Sequence, residues 1–477
     1  MNFGILVFVL GWISLAEGVL LLIPALVSFL YEEPTAPFLI AAGIGFVISA
    51  VCLSVRGKKR SFGLKESFII TALGWLFLSL LGAVPFVLSG AISNPVDAFF
   101  ETVSGFTTTG ASILTEVESL PRGVLFWRSL THWIGGMGVL VLVLALMPRS
   151  SGSMTNLMKA ESPGPQVEKL VPKLRDSALI LYGIYLGLTL LQIVLLRLTR
   201  MSWFDTLTLS LGTAGTGGFG IRNDSVGSYT ALQQNIITAF MFLFGVNFNF
   251  YFYLLLRRWR RAFGMLEVRT YAGIFLGASL LMAWNVRELF DGFGPALQQT
   301  LFQAASVMSS TGYATTDYDL WPAFSRTIIA LLMFGGACAG STGGGFKIAR
   351  GILLARGARS RIGRVLSPRK MRLIRVDGKT VDKETVDNTN AYLAVYAMVF
   401  IFSVLLVSLD GYDLTTNFTA VLSALNNIGP GLSLVGPAQN FALFSPGVKL
   451  LLSFDMLAGR LELLPVLALF TRDAWKR

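Results

Sequence analysis

Ten apolar runs, near residues 3–30, 37–55, 67–89, 124–147, 177–196, 231–256, 270–285, 325–355, 391–409 and 446–471, leave this chain little choice but to lie in a bilayer. A hydrocarbon core of about 30 Å takes ~20 helical residues to cross. Inside it the backbone must satisfy its own hydrogen bonds, so helices are expected rather than open strands. Only 14% of the 477 residues are charged, against about 25% in soluble proteins. The first run has no basic leader and is too long for a signal-peptide core, so it reads as a span. No polar stretch is long enough for a sizeable soluble domain.

The net charge of +12 would suggest nucleic acid in a soluble protein. Its distribution argues otherwise. The segments 56–66, 149–176, 257–269, 347–387 and 472–477 hold 30 of the 39 Lys and Arg, and they alternate with connections holding 8. The positive-inside rule places the basic segments and both termini in the cytoplasm. The opposite connections carry 14 acids, a mildly cation-attracting face. No nucleic-acid partner is expected. The two cysteines, Cys52 and Cys338, both lie in apolar runs and read as small buried residues rather than a disulfide framework.

Four of the outer connections share one form. Each opens with a helix-like segment too short to cross, Val96–Phe106, Trp203–Gly212, Ala296–Met308 or Thr416–Leu425. Each then ends in a glycine turn: Thr107-Thr108-Thr109-Gly110, Ala214-Gly215-Thr216-Gly217, Ser309-Ser310-Thr311-Gly312 and Asn426-Asn427-Ile428-Gly429. Three carry serine six residues before the glycine, Ser104, Ser306 and Ser423. A recurrence near every hundred residues marks one structural unit used four times. The fold class is therefore an all-α polytopic membrane protein: two leading transmembrane helices (1–60) and four pseudo-symmetric units of helix, re-entrant pore helix, turn and helix (61–150, 151–265, 266–388 and 389–477).

Irregular backbone at membrane depth is tolerated only where protein buries it or water lines it. Four such turns in one chain are best placed around a single pore. Backbone carbonyls can replace the water around a cation without adding fixed charge that would trap it. The carbonyls near Thr108, Thr109 and Gly110, near Gly215, Thr216 and Gly217, near Ser310, Thr311 and Gly312, and near Asn427, Ile428 and Gly429 are the expected ligands. Ile428 removes one hydroxyl from the pattern. The residues alone support a monovalent cation.

Two further features lie in the spans. Gly335-Gly336-Ala337-Cys338-Ala339-Gly340-Ser341-Thr342-Gly343-Gly344-Gly345 interrupts the eighth run. Each glycine inside a helix costs ~1 kcal/mol relative to alanine, so the cluster predicts an unwound intramembrane loop. Close helix packing through small residues is the alternative. Lys347 follows directly. Arg460 lies near the middle of the last run, where a charge needs a partner or a wet cavity. An ion pair with Asp455, Glu462 or Glu17 would serve; so would a place below the turns, bonded to loop carbonyls. His132 is the only histidine, and a metal site normally needs several ligands, so a hydrogen bond within the bundle is expected.

The chain resembles the membrane subunits of the Trk potassium-uptake systems, in the superfamily that includes Ktr and plant HKT proteins. Ser104-Gly105-Phe106-Thr107-Thr108-Thr109-Gly110-Ala111, Trp127-Arg128-Ser129-Leu130-Thr131-His132-Trp133-Ile134-Gly135-Gly136-Met137-Gly138, Ser310-Thr311-Gly312-Tyr313, the 339–345 cluster and Asn427-Ile428-Gly429-Pro430-Gly431 carry the resemblance. The two leading spans favour Trk over Ktr. The resemblance implies K+ as the transported ligand. It also implies a gate formed by Gly340, Ser341, Thr342, Gly343, Gly344 and Gly345 with Lys347 and Arg460, a homodimer, and a peripheral cytosolic TrkA-like ring of nucleotide-binding subunits. Serine at the first filter glycine accompanies sodium permeation in the superfamily, and Gly110 is retained here.

No cofactor within this chain and no enzyme activity are expected. A P-loop needs Gly-Lys-Ser or Gly-Lys-Thr, and Phe346 precedes Lys347. A serine nucleophile at Ser341 would need His132 within hydrogen-bond reach, yet the two lie in different units. An ion-coupled secondary transporter, driven by H+ or Na+, predicts inverted two-part symmetry, whereas four units of one orientation occur here; coupled H+ or Na+ movement within the same pore architecture stays open as the alternative.

Overall fold

The computed structural model describes residues 3–54, 63–138, 174–367 and 373–475. Two leading helices, Phe3–Leu30 and Ala36–Ser54, pack as a hairpin. Their Ser14 hydroxyl donates to the Gly45 carbonyl at 2.7 Å, where the absence of a side chain lets the helices approach. The hairpin turns Val19, Leu26, Phe29, Val47 and Val51 outward, all more than half exposed. Such a contiguous apolar surface fits lipid.

Four units follow. Their first helices are Leu64–Leu88, Leu174–Leu198, Leu266–Val286 and Lys383–Val407. Their short pore helices are Pro95–Phe106, Trp203–Gly215, Phe293–Met308 and Leu414–Asn426. Three pore helices start on a capping side chain that accepts a backbone N–H: Asn94 from Val96, Ser202 from Asp205 and Asp413 from Thr416. The structure is a multi-pass helical membrane protein of two leading helices and four repeats around one axis.

The second helix of each unit is shorter than its apolar run, an interruption that the sequence led us to expect only in the eighth run. Among the described residues, six helices are long and apolar enough to cross a bilayer, or seven if one bent pair counts as a span. The run 124–147 is helical over Arg122–Gly136 and turns at Met137 and Gly138; the rest lies outside the described residues, as do most of the basic segments 56–66 and 149–176. The run 231–256 divides into Ala231–Phe244 and Phe248–Leu255, bent by 92°. Asn247 caps the new helix by accepting from the Asn249 N–H. The run 325–355 stops at Gly335, as the glycine cluster predicts, and helix resumes at Ile348. The last run breaks at Glu462, whose φ is 73°.

Candidate functional site

Each pore helix ends in a left-handed residue: Thr108, Thr216, Ser310 and Asn427, with φ between 53° and 61°. Thr109, Gly217, Thr311 and Ile428 follow, and their N–H groups reach back to the carbonyls of Ser104, Gly212, Ser306 and Ser423. This six-to-one bond terminates a helix and satisfies an otherwise orphaned carbonyl. A left-handed β-branched threonine is disfavoured and persists only where its surroundings over-determine it. Here they do, since hydroxyl pairs brace the turns: Thr107 Oγ1 with Thr109 Oγ1 at 2.8 Å, and Ser309 Oγ with Thr311 Oγ1 at 2.6 Å.

A second positive φ comes two residues after the left-handed one, at Gly110, Gly218, Gly312 and Gly429. The register of the second turn is thus one residue later than a match on Gly217 suggests. The Gly217-Gly218 doublet hides this in the sequence. It also explains the missing serine: Gly212 stands where Ser104, Ser306 and Ser423 stand, because a side chain there would overlap the Tyr313 hydroxyl.

The four turns close a ring. A Cβ on Gly110 would overlap the Gly217 carbonyl oxygen, one on Gly218 that of Thr311, and one on Gly312 that of Ile428; on Gly429 it would lie 2.9 Å from the Thr109 oxygen. Each glycine therefore meets the carbonyl before the corresponding glycine of the next unit, in chain order. Units one and three consequently face each other, as do two and four. Outside the ring, an open recess is lined by Ala111, Ser112, Phe219, Gly220, Ala314 and Pro430 among others.

Buried polar groups hold this ring from behind. Glu101 on the first pore helix accepts from Arg128 Nε (2.9 Å), the Ser112 hydroxyl (2.9 Å) and the Ile113 N–H (3.0 Å). Arg128 also donates to the Gly220 carbonyl at 3.0 Å and lies over the Phe219 ring. One ion pair so ties the exits of turns one and two. His132 Nε2 accepts from the Phe219 N–H at 3.2 Å, which assigns the proton to Nδ1, 2.8 Å from the Gly105 carbonyl. The sole histidine bridges pore helix one to turn two, and both its ring nitrogens are engaged. Asn427 Nδ2 bonds Thr109 Oγ1 and the Met456 carbonyl, each at 2.9 Å, and so joins turns four and one.

The segment 336–347 lies directly beneath turns three and four. Its Gly344 N–H donates to Ser310 Oγ at 2.7 Å. A side chain on Gly343 would press on the Ser309 carbonyl, and one on Gly344 on Asn427. The unwound loop is held by its neighbours. The Cys338 N–H donates to the Gly245 carbonyl at 3.0 Å, and the Ala339 N–H to Glu267 at 2.6 Å. Lys347, itself buried, reaches back to the Gly343 carbonyl. Arg460 donates to the Thr342 carbonyl at 2.7 Å and to those of Gly135 and Gly136 at 2.6 and 2.8 Å. Of the acids considered as its partners, Glu462 pairs with Arg350, and Asp455 accepts from the Ser403 hydroxyl. The sequence singled out the loop, Lys347 and Arg460. It did not single out Glu101, Arg128 or Glu267, whose roles appear only when distant segments meet.

A family model described as TrkH, cation transport protein, matches residues 35–273 and 293–476. The Trk system potassium uptake protein TrkH of Salmonella typhimurium is 33% identical over the full length of both chains. The Trk system potassium uptake protein TrkG of Escherichia coli is 31% identical, covering 98% of this chain and 97% of its own. The crystal structure of the potassium transporter TrkH from Vibrio parahaemolyticus superposes with a TM-score of 0.90 at 30% identity, over all of both chains.

Proposed function

The chain belongs to the TrkH family of cation transport proteins, and from that premise we propose that it conducts potassium into the cell through the ring of four glycine turns. The observation that carries this reading is the ring itself, in which each glycine abuts a carbonyl of the next unit. Carbonyls of Thr109, Gly217, Thr311 and Ile428 are the ligands at its waist, with those of Thr108, Thr216, Ser310 and Asn427 on the inner side. Potassium sheds water at modest cost, and a set of neutral carbonyl dipoles replaces that water without binding the ion too tightly to leave. The pore helices add to this, since their carboxyl ends meet at the ring and carry partial negative charge.

The gate is the loop containing Gly340, Ser341, Thr342, Gly343, Gly344 and Gly345. Units one and three face each other across the ring, and Arg460 of unit four ties the unit-three loop to the end of the helix Arg122–Gly136 of unit one. That crossing obstructs the path below the filter. Lys347 holds the loop from its other end. The basic helix Ile348–Leu366 and the hairpin Arg375–Thr380 follow the loop directly. A TrkA-like nucleotide-binding ring docked there, on the cytoplasmic side with both termini, would transmit force to the loop; the chain works as a homodimer. The four units keep the bounds 61–150, 151–265, 266–388 and 389–477.

Uptake into liposomes under opposed K+ and Na+ gradients tests the filter. Gly110→Ser is expected to admit Na+ while the wild type favours K+. Equal selectivity in the two proteins would reject the ring as the filter.

A further inference from the structure

Past the 92° bend the chain turns across the end of the bundle and forms a knuckle: the helix Phe248–Leu255, packed by Phe248 against Tyr185, a left-handed Arg257, and the short helix Trp259–Gly264. One side is anchored. Ala262 and Phe250 are buried. The other side is unusual for a surface in water. Leu255 is 70% exposed, Leu256 48%, Trp259 57% and Phe263 60%. Interleaved with them are Arg257, Arg258, Arg260 and Arg261, also exposed. No acidic residue occurs between Asp224 and Glu267, and among the described residues none of the four arginines pairs with a carboxylate. The Leu266 N–H donates to Asp377 at 2.9 Å, which puts the knuckle on the same face as the basic hairpin.

We infer that this knuckle is a binding site for the phosphate-bearing headgroups of anionic glycerophospholipids. Four large apolar side chains insert at the level of the acyl boundary, where tryptophan's amphipathic ring is favoured. The four guanidiniums lie in the headgroup layer and fork onto phosphate oxygens, a geometry lysine does not match. Attraction of clustered arginine to an anionic leaflet adds to apolar insertion. A soluble acidic protein would satisfy the charge and leave the leucines and Trp259 wet, so lipid is the occupant that fits both. The bend at Gly245–Asn247 then has a second consequence. It connects the carbonyl of Gly245, which anchors the intramembrane loop at Cys338, to a segment seated on the membrane surface.

Native mass spectrometry of the purified full-length protein, with phosphatidylglycerol and phosphatidylcholine added in turn, tests this. The wild type should retain phosphatidylglycerol preferentially. The quadruple variant R257Q/R258Q/R260Q/R261Q should lose about tenfold or more of that preference, while its phosphatidylcholine binding stays unchanged. R260Q/R261Q, which leaves the left-handed Arg257 in place, should lose part of it if the quadruple variant does not fold. An R→K set at all four positions should fall between wild type and glutamine. No preference in the wild type, or full preference in both glutamine variants, would overturn the assignment. So would displacement of the lipid by millimolar inorganic phosphate, which would mark a free-phosphate site.

Discussion

The Arg460 guanidinium donates to the Thr342 carbonyl at 2.7 Å, joining the last helix of the fourth unit to the unwound loop of the third. Its other nitrogen holds the Gly135 and Gly136 carbonyls of the first unit. A hydrogen bond from a charged donor contributes roughly 1.5–3 kcal/mol, so on the proposed gate the loss of one from the closed state alone shifts a closed-to-open ratio by about tenfold. Arg460→Gln should therefore raise basal K+ flux from liposomes by about tenfold, in the absence of any partner. An unchanged rate in folded protein would remove Arg460 from the gate.

The second turn separates two glycines by consequence. A side chain on Gly218 would strike the Thr311 carbonyl in the ring, whereas one on Gly217 would strike the His132 ring behind it. Gly218→Ser should alter K+ over Na+ selectivity as Gly110→Ser does. Gly217→Ala should chiefly lower thermal stability, by about 1–3 kcal/mol as an overpacked core position does. Selectivity loss confined to the Gly217 variant would contradict the register.

Glu101 and Arg128 are both almost fully buried. Removing one partner of such a pair strands the other charge and costs about 3–5 kcal/mol. Glu101→Ala should destabilise the protein on that scale in thermal unfolding. The double variant Glu101→Ala, Arg128→Met should recover part of the loss. Additive losses would show that the two side chains act independently.

Asp413 caps the fourth pore helix at its exposed end, and hydrogen bonds led by the Thr416 hydroxyl hold its carboxyl below the usual carboxylate range. A depressed folded value contributes stability above the unfolded value near 4 and loses it as pH falls through the folded value. The group is exposed, so the effect is small. The unfolding midpoint of the wild type should exceed that of Asp413→Asn at pH 6, and the gap should close on acidification below about pH 4. A gap that widens in acid would contradict this sign.

The short helices were legible because a brief apolar segment closed by a glycine turn has few ways to fold. The expected Val96–Phe106 and Thr416–Leu425 appear as Pro95–Phe106 and Leu414–Asn426. The break at Gly335–Gly336 was legible from glycine alone. The breaks at Asn247 and Glu462 were not, because their local composition permits helix; Asn247 donates to Glu267 and Glu462 pairs with Arg350, contacts that form only in the assembled bundle. The register of the second turn was hidden by two adjacent glycines, and only the neighbouring Thr311 carbonyl distinguishes them. Arg460 was recognisable as a charge needing partners, with loop carbonyls among the expected acceptors, and Thr342 is one; the Gly135 and Gly136 carbonyls of the first unit carry no sequence signature.

Crystals grown with K+ and then exchanged into Tl+ or Rb+ test the central claim most directly. Anomalous density is expected on the axis within the ring formed by the Thr109, Gly217, Thr311 and Ile428 carbonyls, and it should weaken when Na+ competes only at large excess. An empty ring with the heavy ion bound elsewhere in the bundle, or a ring that Na+ clears at equal concentration, would contradict a potassium filter built from the four turns.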